Sequence, residues 1–124
     1  MTALNQVYKC EVCGNIIEML HTGVGELVCC GQTMKLQQEK HEEEGFTEKH
    51  RPVIEELEDG AAITIGAVEH PMTEEHYIEW VEVLEDNKLC RHKLKPGDKP
   101  TVRSWQKDHS YVRAYCNVHG LWKN

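Results

Sequence analysis

Four cysteines near the start of the chain are the feature that most restricts how this sequence can fold. Cys10 and Cys13 are separated by two residues, and Cys29 and Cys30 are adjacent. The segment that contains them, residues 8–36, has only short apolar β segments broken by glycine. Below about 40 residues a domain usually needs a metal, disulfides or a partner chain. We therefore expect a small β unit that is held together by a metal ion and unfolds without it.

The cysteine set alone leaves the identity of the metal open. A Cys-x2-Cys turn presents two sulfurs to one ion, and a second pair completes a tetrahedron of thiolates that suits zinc or iron. A structural zinc ribbon is therefore one interpretation. Cys29 and Cys30 favour a distorted site, because neighbouring residues of an extended strand point to opposite faces. Both can be ligands only if the backbone turns sharply, and Gly31 can accommodate that turn.

Charge and composition exclude several classes of function. The 21 acidic residues outnumber the 14 Lys and Arg, which gives a formal charge of −7. A phosphate-binding surface needs clustered cations, so no nucleic-acid partner is expected. Because no apolar run reaches about 18 residues and the first residues do not resemble a signal peptide, we expect a cytoplasmic protein without a membrane partner. In a reducing cytoplasm the six cysteines are expected to be ligands or free thiols.

A polar, acidic stretch divides the chain. Residues 37–45 have the composition of a linker or exposed loop, and we place a boundary there between domains 1–37 and 38–124. Beyond it, short segments rich in β-branched residues predict an antiparallel sandwich. Turn signals separate these segments at Asp59-Gly60, Asp86-Asn87 and Pro96-Gly97-Asp98. The segment 111–116 alternates, with Val112, Ala114 and Cys116 on one face and Tyr111, Arg113 and Tyr115 on the other.

A second set of potential ligands lies in the later part of the chain. His76 follows His70 by six residues, a spacing that lets one loop supply two ligands. Cys116 and His119 are similarly separated by two residues. With His50, these residues offer one thiolate and four imidazoles, which is one ligand more than structural zinc takes. A nitrogen-rich site with one thiolate and a vacant position suits a redox-active iron.

The other histidines and the sixth cysteine have simpler interpretations. Most of the eight histidines of an acidic chain are expected to be solvated surface groups. We assign His21, His41, His92 and His109 to that class. Cys90 matches no ligand pattern and is interpreted as a buried free thiol.

Together these motifs resemble desulforedoxin at the N-terminus and the desulfoferrodoxins, the two-iron superoxide reductases, over essentially the whole chain. The matching segments are Tyr8-Lys9-Cys10, Gly31-x2-Met34-Lys35-Leu36, Glu48-Lys49-His50, His70-Pro71-Met72 and Cys116-Asn117-x-His119-Gly120-x-Trp122. The resemblance implies a mainly β protein, with a small metal-stapled desulforedoxin-like domain followed by an immunoglobulin-like antiparallel β-sandwich, usually in a homodimer. Arg51 is a departure, because the pattern usually has a small apolar residue before Pro52. We expect the Arg51 side chain to point into solvent.

The same resemblance implies two mononuclear iron ions per chain and the residues that hold them. The first iron would be held by Cys10, Cys13, Cys29 and Cys30. The catalytic iron would be held by His50, His70, His76 and His119 in one plane, with Cys116 as the axial thiolate. Lys49 would attract superoxide, and Glu48 would be able to ligate the ferric iron in the resting state.

The function implied is that of a superoxide reductase, an enzyme that reduces superoxide to hydrogen peroxide by one electron and is re-reduced by an external donor, usually rubredoxin. A non-catalytic iron electron-transfer protein is the main alternative, and a zinc-ribbon interaction protein is another. A pure electron carrier needs neither the vacant coordination position nor Lys49. A zinc ribbon leaves Cys116 and the four histidines without a role. A dismutase would have to oxidise superoxide at the ferric site, which a strongly donating thiolate opposes.

Overall fold

The chain is almost entirely extended. The computed structural model describes all 124 residues, which form two compact units, Met1–Gln38 and Glu39–Asn124. Every strand pairing within its sheets is antiparallel. This confirms the expected mainly β class. None of the helical structure is long and apolar enough to cross a membrane.

The N-terminal unit contains two small sheets. Its strands are β1 (Val7–Lys9), β2 (Ile16–Glu18), β3 (Val28–Cys29), β4 (Gln32–Thr33) and β5 (Lys35–Leu36). β1 lies between β2 and β5, and β3 pairs with β4. The buried apolar side chains of the unit are Val7, Cys10 and Met34. Such a small core agrees with the expectation that this unit depends on a metal.

A tight turn joins β3 to β4 at the adjacent cysteines. Cys29 pairs with Gln32, so Cys30 and Gly31 are the two residues of the hairpin loop. Both have positive φ, 54° and 72°, as a type I′ hairpin turn requires. The turn expected at Gly31 is present, but it begins one residue earlier. Cys30 itself adopts the left-handed conformation, which is uncommon for a residue with a side chain.

The C-terminal unit is a sandwich of a three-stranded and a four-stranded sheet. Its elements are α1 (Thr47–His50), β6 (Pro52–Leu57), β7 (Gly60–Ile65), β8 (Ile78–Glu85), β9 (Lys88–Lys93), β10 (Thr101–Ser104), β11 (Val112–Cys116) and β12 (Gly120–Lys123). The strand orders are β10-β7-β6 and β12-β11-β8-β9. The core is built from β-branched and small side chains of both sheets, including Ile63, Ile65, Val81, Val83 and Ala114.

Both faces of β11 are buried. The alternation predicted from the sequence is present, since Val112, Ala114 and Cys116 all belong to the core. On the opposite face, Arg113 donates from Nη2 to Glu82 Oε1 at 2.7 Å, and the side chains of both residues are almost fully buried. Each charge has more than one partner, because Arg91 Nε also donates to Glu82 at 2.9 Å and Arg113 Nη1 also donates to Glu39 at 3.1 Å.

One of the four surface histidine assignments was wrong. His109 is buried, with Nε2 3.0 Å from Ser104 Oγ and Nδ1 3.4 Å from a carboxylate oxygen of Glu56. The hydroxyl compensates for part of the loss of solvent, whereas Nδ1 has no hydrogen-bond partner. His21 and His41 are exposed, as expected.

The environment of Cys90 also differs from the prediction. Its thiol is free but only half-buried, because it lies on β9, the edge strand of the four-stranded sheet. Cys90 Sγ is 3.6 Å from Nε2 of His92, which is half-buried as well. Neither residue belongs to a convergent group of three or more potential ligands.

Candidate metal centres

The four N-terminal cysteines converge in the structure. The sulfurs of Cys10, Cys13, Cys29 and Cys30 all lie within 4.8 Å of one another. Sγ of Cys29 is 3.6 Å from that of Cys13 and 4.0 Å from that of Cys30. Metal–sulfur bonds of about 2.3 Å place the corners of a tetrahedron about 3.8 Å apart. The group therefore has the dimensions of a tetrathiolate site, and its thiols are not paired as disulfides.

The thiols of this group differ strongly in acidity. The pKa of Cys10 is lowered to about 6, chiefly by a hydrogen bond from the backbone N–H of Cys13. The pKa of Cys30 is raised to about 12, first by its contact with the Cys13 thiol and then by that with Cys29. Because neighbouring thiolates repel one another, the four cannot all be charged without a cation among them. A divalent or trivalent metal supplies that charge.

The five ligand candidates of the C-terminal unit also converge, although they come from distant parts of the chain. His50 ends α1, His70 and His76 lie between β7 and β8, Cys116 ends β11, and His119 lies in the turn before β12. The ligand atoms of the first four lie within 4.8 Å of one another. His119 completes the group, with Nδ1 3.1 Å from His50 Nε2 and 3.9 Å from Cys116 Sγ.

Backbone carbonyls fix the protonation of two of these imidazoles. Nδ1 of His50 donates to the carbonyl of Phe46 at 2.8 Å, and Nδ1 of His70 donates to that of Pro71 at 2.6 Å. Since a carbonyl can only accept, Nε2 of each neutral ring carries a lone pair. The two Nε2 atoms face each other at 3.1 Å. Two lone pairs at that distance repel unless a proton or a metal ion binds to them.

Burial keeps these histidines in the form that binds metals. It lowers the pKa of His50 and His76 and takes the pKa of His70 to about 4, so all three are neutral at pH 7. Nε2 of His76 is buried without a hydrogen-bond partner. A bound cation would provide a partner for Nε2 of His76 and for the facing lone pairs of His50 and His70. Because four imidazoles and a thiol exceed the tetrahedral set of structural zinc, the donor set fits iron.

The thiol in this group is the most deeply buried of its potential ligands. Cys116 has 0% exposure, and burial raises the pKa of its thiol. The backbone N–H of His119 donates to Cys116 Sγ at 3.4 Å, which favours the thiolate. The backbone N–H of Val118 acts in the same direction, and a metal cation would complete the compensation that these hydrogen bonds begin.

The charged residues around His50 lie at the surface. Glu48 and Lys49 are exposed, and the positive charge of Lys49 helps to lower the pKa of His76. Arg51 is partly exposed, with Nη1 3.8 Å from a carboxylate oxygen of Glu42. Its backbone is extended, with φ −72° and ψ 124°, as a residue before proline prefers.

Two aromatic residues contact the histidines from outside the ligand set. The Trp122 ring stacks on His50, with centroids 4.9 Å apart and planes at 20°. The Phe46 ring lies 4.6 Å from that of His119. Trp122 belongs to one of the matching motifs, but Phe46 was missed. The available signal was that this single phenylalanine of the chain stands in a polar segment.

Sequence comparison shows the same two-part organisation. Residues 42–124 match the family Desulfoferrodoxin, and residues 2–37 match the Desulfoferrodoxin N-terminal domain. The chain is 53% identical over 125 residues to the desulfoferrodoxin homologue of Archaeoglobus fulgidus, an alignment that covers 100% of this chain and 99% of that protein. The two family matches and the two ligand groups confirm the expectation of two iron centres of different donor type.

Solved structures show where the fold recurs. The superoxide reductase from Treponema pallidum aligns with a TM-score of 0.76 over 96% of this chain and 95% of its own, at 24% identity. It shares the fold of the chain. The superoxide reductase (1Fe-SOR) from Giardia intestinalis aligns with a TM-score of 0.52 at 31% identity, over 62% of this chain and 95% of its own.

Proposed function

Because the chain belongs to the desulfoferrodoxin family, we propose that it is a superoxide reductase, which takes superoxide to hydrogen peroxide with one electron and two protons. The observation that carries this proposal is the group of four imidazoles and one thiol in the C-terminal unit. Bound iron would supply the electron, and an external donor such as rubredoxin would restore it. Similarity to the superoxide reductase of Giardia intestinalis supports the assignment.

We assign one role to each metal group. Residues 38–124 form the catalytic domain, in which His50, His70, His76, His119 and Cys116 would hold the catalytic iron. Residues 1–37 form the desulforedoxin-like domain, with Cys10, Cys13, Cys29 and Cys30 as the ligands of the first iron. The separate convergence of the two groups supports this division.

Lys49 is proposed to attract the substrate. Superoxide is an anion, whereas the chain carries a formal charge of −7, so capture depends on local positive charge. Lys49 is exposed and close enough to influence His76 electrostatically. At physiological salt, screening over about 8 Å weakens the repulsion from distant carboxylates more than the attraction of this ammonium.

Glu48 is proposed as a carboxylate that would ligate the catalytic iron in the oxidised resting state. Its carboxylate is exposed and precedes Lys49 and His50 in α1. An exposed carboxylate beside the site would be able to move away when superoxide approaches.

We further propose that the protein is a cytoplasmic homodimer. The N-terminal unit exposes several large apolar side chains, among them Leu4, Leu20, Val24 and Val28, whose exposed fractions are 58%, 84%, 85% and 61%. A unit with so small a core gains stability when a partner covers such residues.

The stoichiometry of the products tests the proposed reaction. The protein with its histidine-site iron reduced is mixed rapidly with superoxide, and peroxide and dioxygen are measured. A reductase yields one peroxide for each superoxide and no dioxygen. A dismutase yields half as much peroxide together with dioxygen, and a pure electron carrier does not accelerate the loss of superoxide. Either of the last two results would refute the proposed function.

A further inference from the structure

The start of the C-terminal unit is bound to the sandwich, although its sequence is that of a linker. The backbone N–H of Lys40 donates to the Leu121 carbonyl at 2.9 Å, and the backbone N–H of Lys123 donates to the Lys40 carbonyl at 2.8 Å. Lys40 therefore forms a parallel bridge to Trp122 at the edge of the four-stranded sheet. Since β12 is an edge strand, Lys40 occupies hydrogen-bonding positions that the strand leaves open.

The residue before Lys40 is also held by the sandwich. The Glu39 carboxylate accepts hydrogen bonds from Arg113 Nη1, at 3.1 Å, and from the hydroxyl of Tyr111. Arg113 is almost fully buried, so Glu39 completes the compensation of an internal charge. The backbone position of Lys40 is thus fixed from two sides.

The Lys40 side chain extends from this position to the histidine site. Its ammonium donates to the backbone carbonyl of His119 at 3.1 Å, across 79 residues of sequence. Trp122 Nε1 donates to the same carbonyl at 3.1 Å, and Nζ of Lys40 lies 5.6 Å from the centre of the Trp122 ring. Two donors therefore hold the peptide group that follows a candidate ligand.

We infer that Lys40 is a positioning residue of the histidine site: its hydrogen bond to the His119 carbonyl holds the turn that aims the His119 ring. The inference rests on the proposed metal centre. His119 lies in the short turn between β11 and β12 and is only half-buried, so packing alone constrains it less than His50. Ligands need to be held within about 0.5 Å of their working geometry, and such supporting contacts provide that precision.

The charge of Lys40 opposes this effect but is weaker. An ammonium near a metal site repels the bound cation. Nζ of Lys40 is also 3.0 Å from a carboxylate oxygen of Glu43, and the two side chains are 37% and 44% exposed. Because solvent and this counter-ion both screen the charge, we expect positioning to dominate. Repulsion predicts tighter metal binding when Lys40 is neutralised, and lost positioning predicts weaker binding. The ammonium also favours the thiolate of Cys116, which offsets part of the repulsion.

The test is the affinity of the histidine site for Fe²⁺, measured without oxygen by competition with a chelator in the full-length protein. Lys40→Met keeps an apolar stem beside Trp122 and removes the hydrogen-bond donor. The Fe²⁺ affinity should therefore fall about tenfold, which is the lower end of the loss expected when a group that supports a metal ligand is removed. Lys40→Arg keeps a donor and should stay within about twofold of the unsubstituted protein. The absorption of the tetrathiolate iron reports on the N-terminal unit, and thermal unfolding reports on the sandwich that carries Lys40. Neither should change.

Glu43→Gln is the matched control, since it removes the ion pair and leaves the contact with His119. Its affinity should also stay within about twofold. Unchanged or tighter Fe²⁺ binding by Lys40→Met would overturn the inference. An equal loss of affinity in Lys40→Arg or Glu43→Gln would also overturn it, as would a parallel loss of the tetrathiolate iron in Lys40→Met. Because affinity is measured without superoxide, failure of the proposed enzymatic function would leave this result interpretable.

Discussion

The tautomers of two candidate ligands are set by backbone carbonyls. The carbonyls of Phe46 and Pro71 accept the Nδ1 protons of His50 and His70, which leaves both Nε2 atoms available to a cation. The sequence spacing indicated that His70 and His76 could be two ligands from one loop. It could not predict the tautomers, since Phe46 approaches His50 only through the turn of α1.

Replacing Lys49 with alanine should slow the capture of superoxide. Local charges can change the rate of anion association by about tenfold or more, and we expect a loss of about tenfold at low salt. Iron content should stay unchanged, because Lys49 is exposed and is not a candidate ligand. The measurement is the bimolecular rate of superoxide loss as a function of ionic strength.

Lys88→Ala provides the control for this experiment, because Lys88 is also exposed but lies at the start of β9. Its rate should match that of the unsubstituted protein. If Lys49→Ala reacts as fast as Lys88→Ala at low salt, Lys49 has no role in capture.

A glycine after β7 allows α1 to approach the sheet. Gly66 has φ 91°, and a Cβ at this position would come within 2.7 Å of the Lys49 carbonyl oxygen and 2.3 Å of that of Val68. The backbone N–H of Val68 also donates to the carbonyl of Glu48 at 3.1 Å. The loop after β7 therefore fixes the turn of helix that carries His50.

Gly66→Ala should weaken iron binding at the histidine site, because the added methyl group displaces the backbone next to His50. Gly97→Ala is the matched control, since Gly97 has the same φ of 91° but open space around it. Both changes should cost roughly 1–2 kcal/mol of stability from the backbone conformation. Only Gly66→Ala should lower the Fe²⁺ affinity, by about tenfold. Equal affinities in the two variants would show that the close approach does not matter.

The elements that could be predicted from the sequence are those that particular residue types mark locally. The turns at residues 86–87 and 96–98 are present, since glycine, asparagine and proline mark such turns directly. The turn predicted at Asp59-Gly60 begins one residue earlier, at Glu58-Asp59, and Gly60 is the first residue of β7. α1 has only four residues, too few to show a helical period. β9, with the sequence Lys-Leu-Cys-Arg-His-Lys, is an edge strand and is largely polar. Neither element could be identified from its composition.

The two compact units each contain a complete group of potential ligands. The cysteine group lies within Met1–Gln38, and the histidine group lies within Glu39–Asn124. The sequence places each ligand pattern on one side of the polar stretch. It did not predict that Glu39 and Lys40 bind to the sandwich, since their partners Arg113 and His119 are more than 70 residues away.

Replacing Cys13 with serine should damage one metal site and spare the other. Loss of one thiolate removes a tetrathiolate ligand, so the visible bands of that iron should change or disappear. The histidine-site iron, once chemically reduced, should react with superoxide within about twofold of the normal rate, as expected for independent sites. Cys90→Ser should leave both centres intact, because Cys90 belongs to neither ligand group. Loss of the single-turnover reaction in Cys13→Ser would show that the two sites are interdependent.

A titration of the reduced histidine site with superoxide, followed by visible absorption, tests whether one of two iron centres reacts with this substrate. Iron and zinc are measured on the same sample. We predict about two irons per chain, in accord with the two donor sets. A sulfur-to-iron band should grow in proportion to the superoxide added, while the tetrathiolate bands stay constant. A colourless protein that contains zinc, or an iron protein whose spectrum superoxide does not change, would contradict the account.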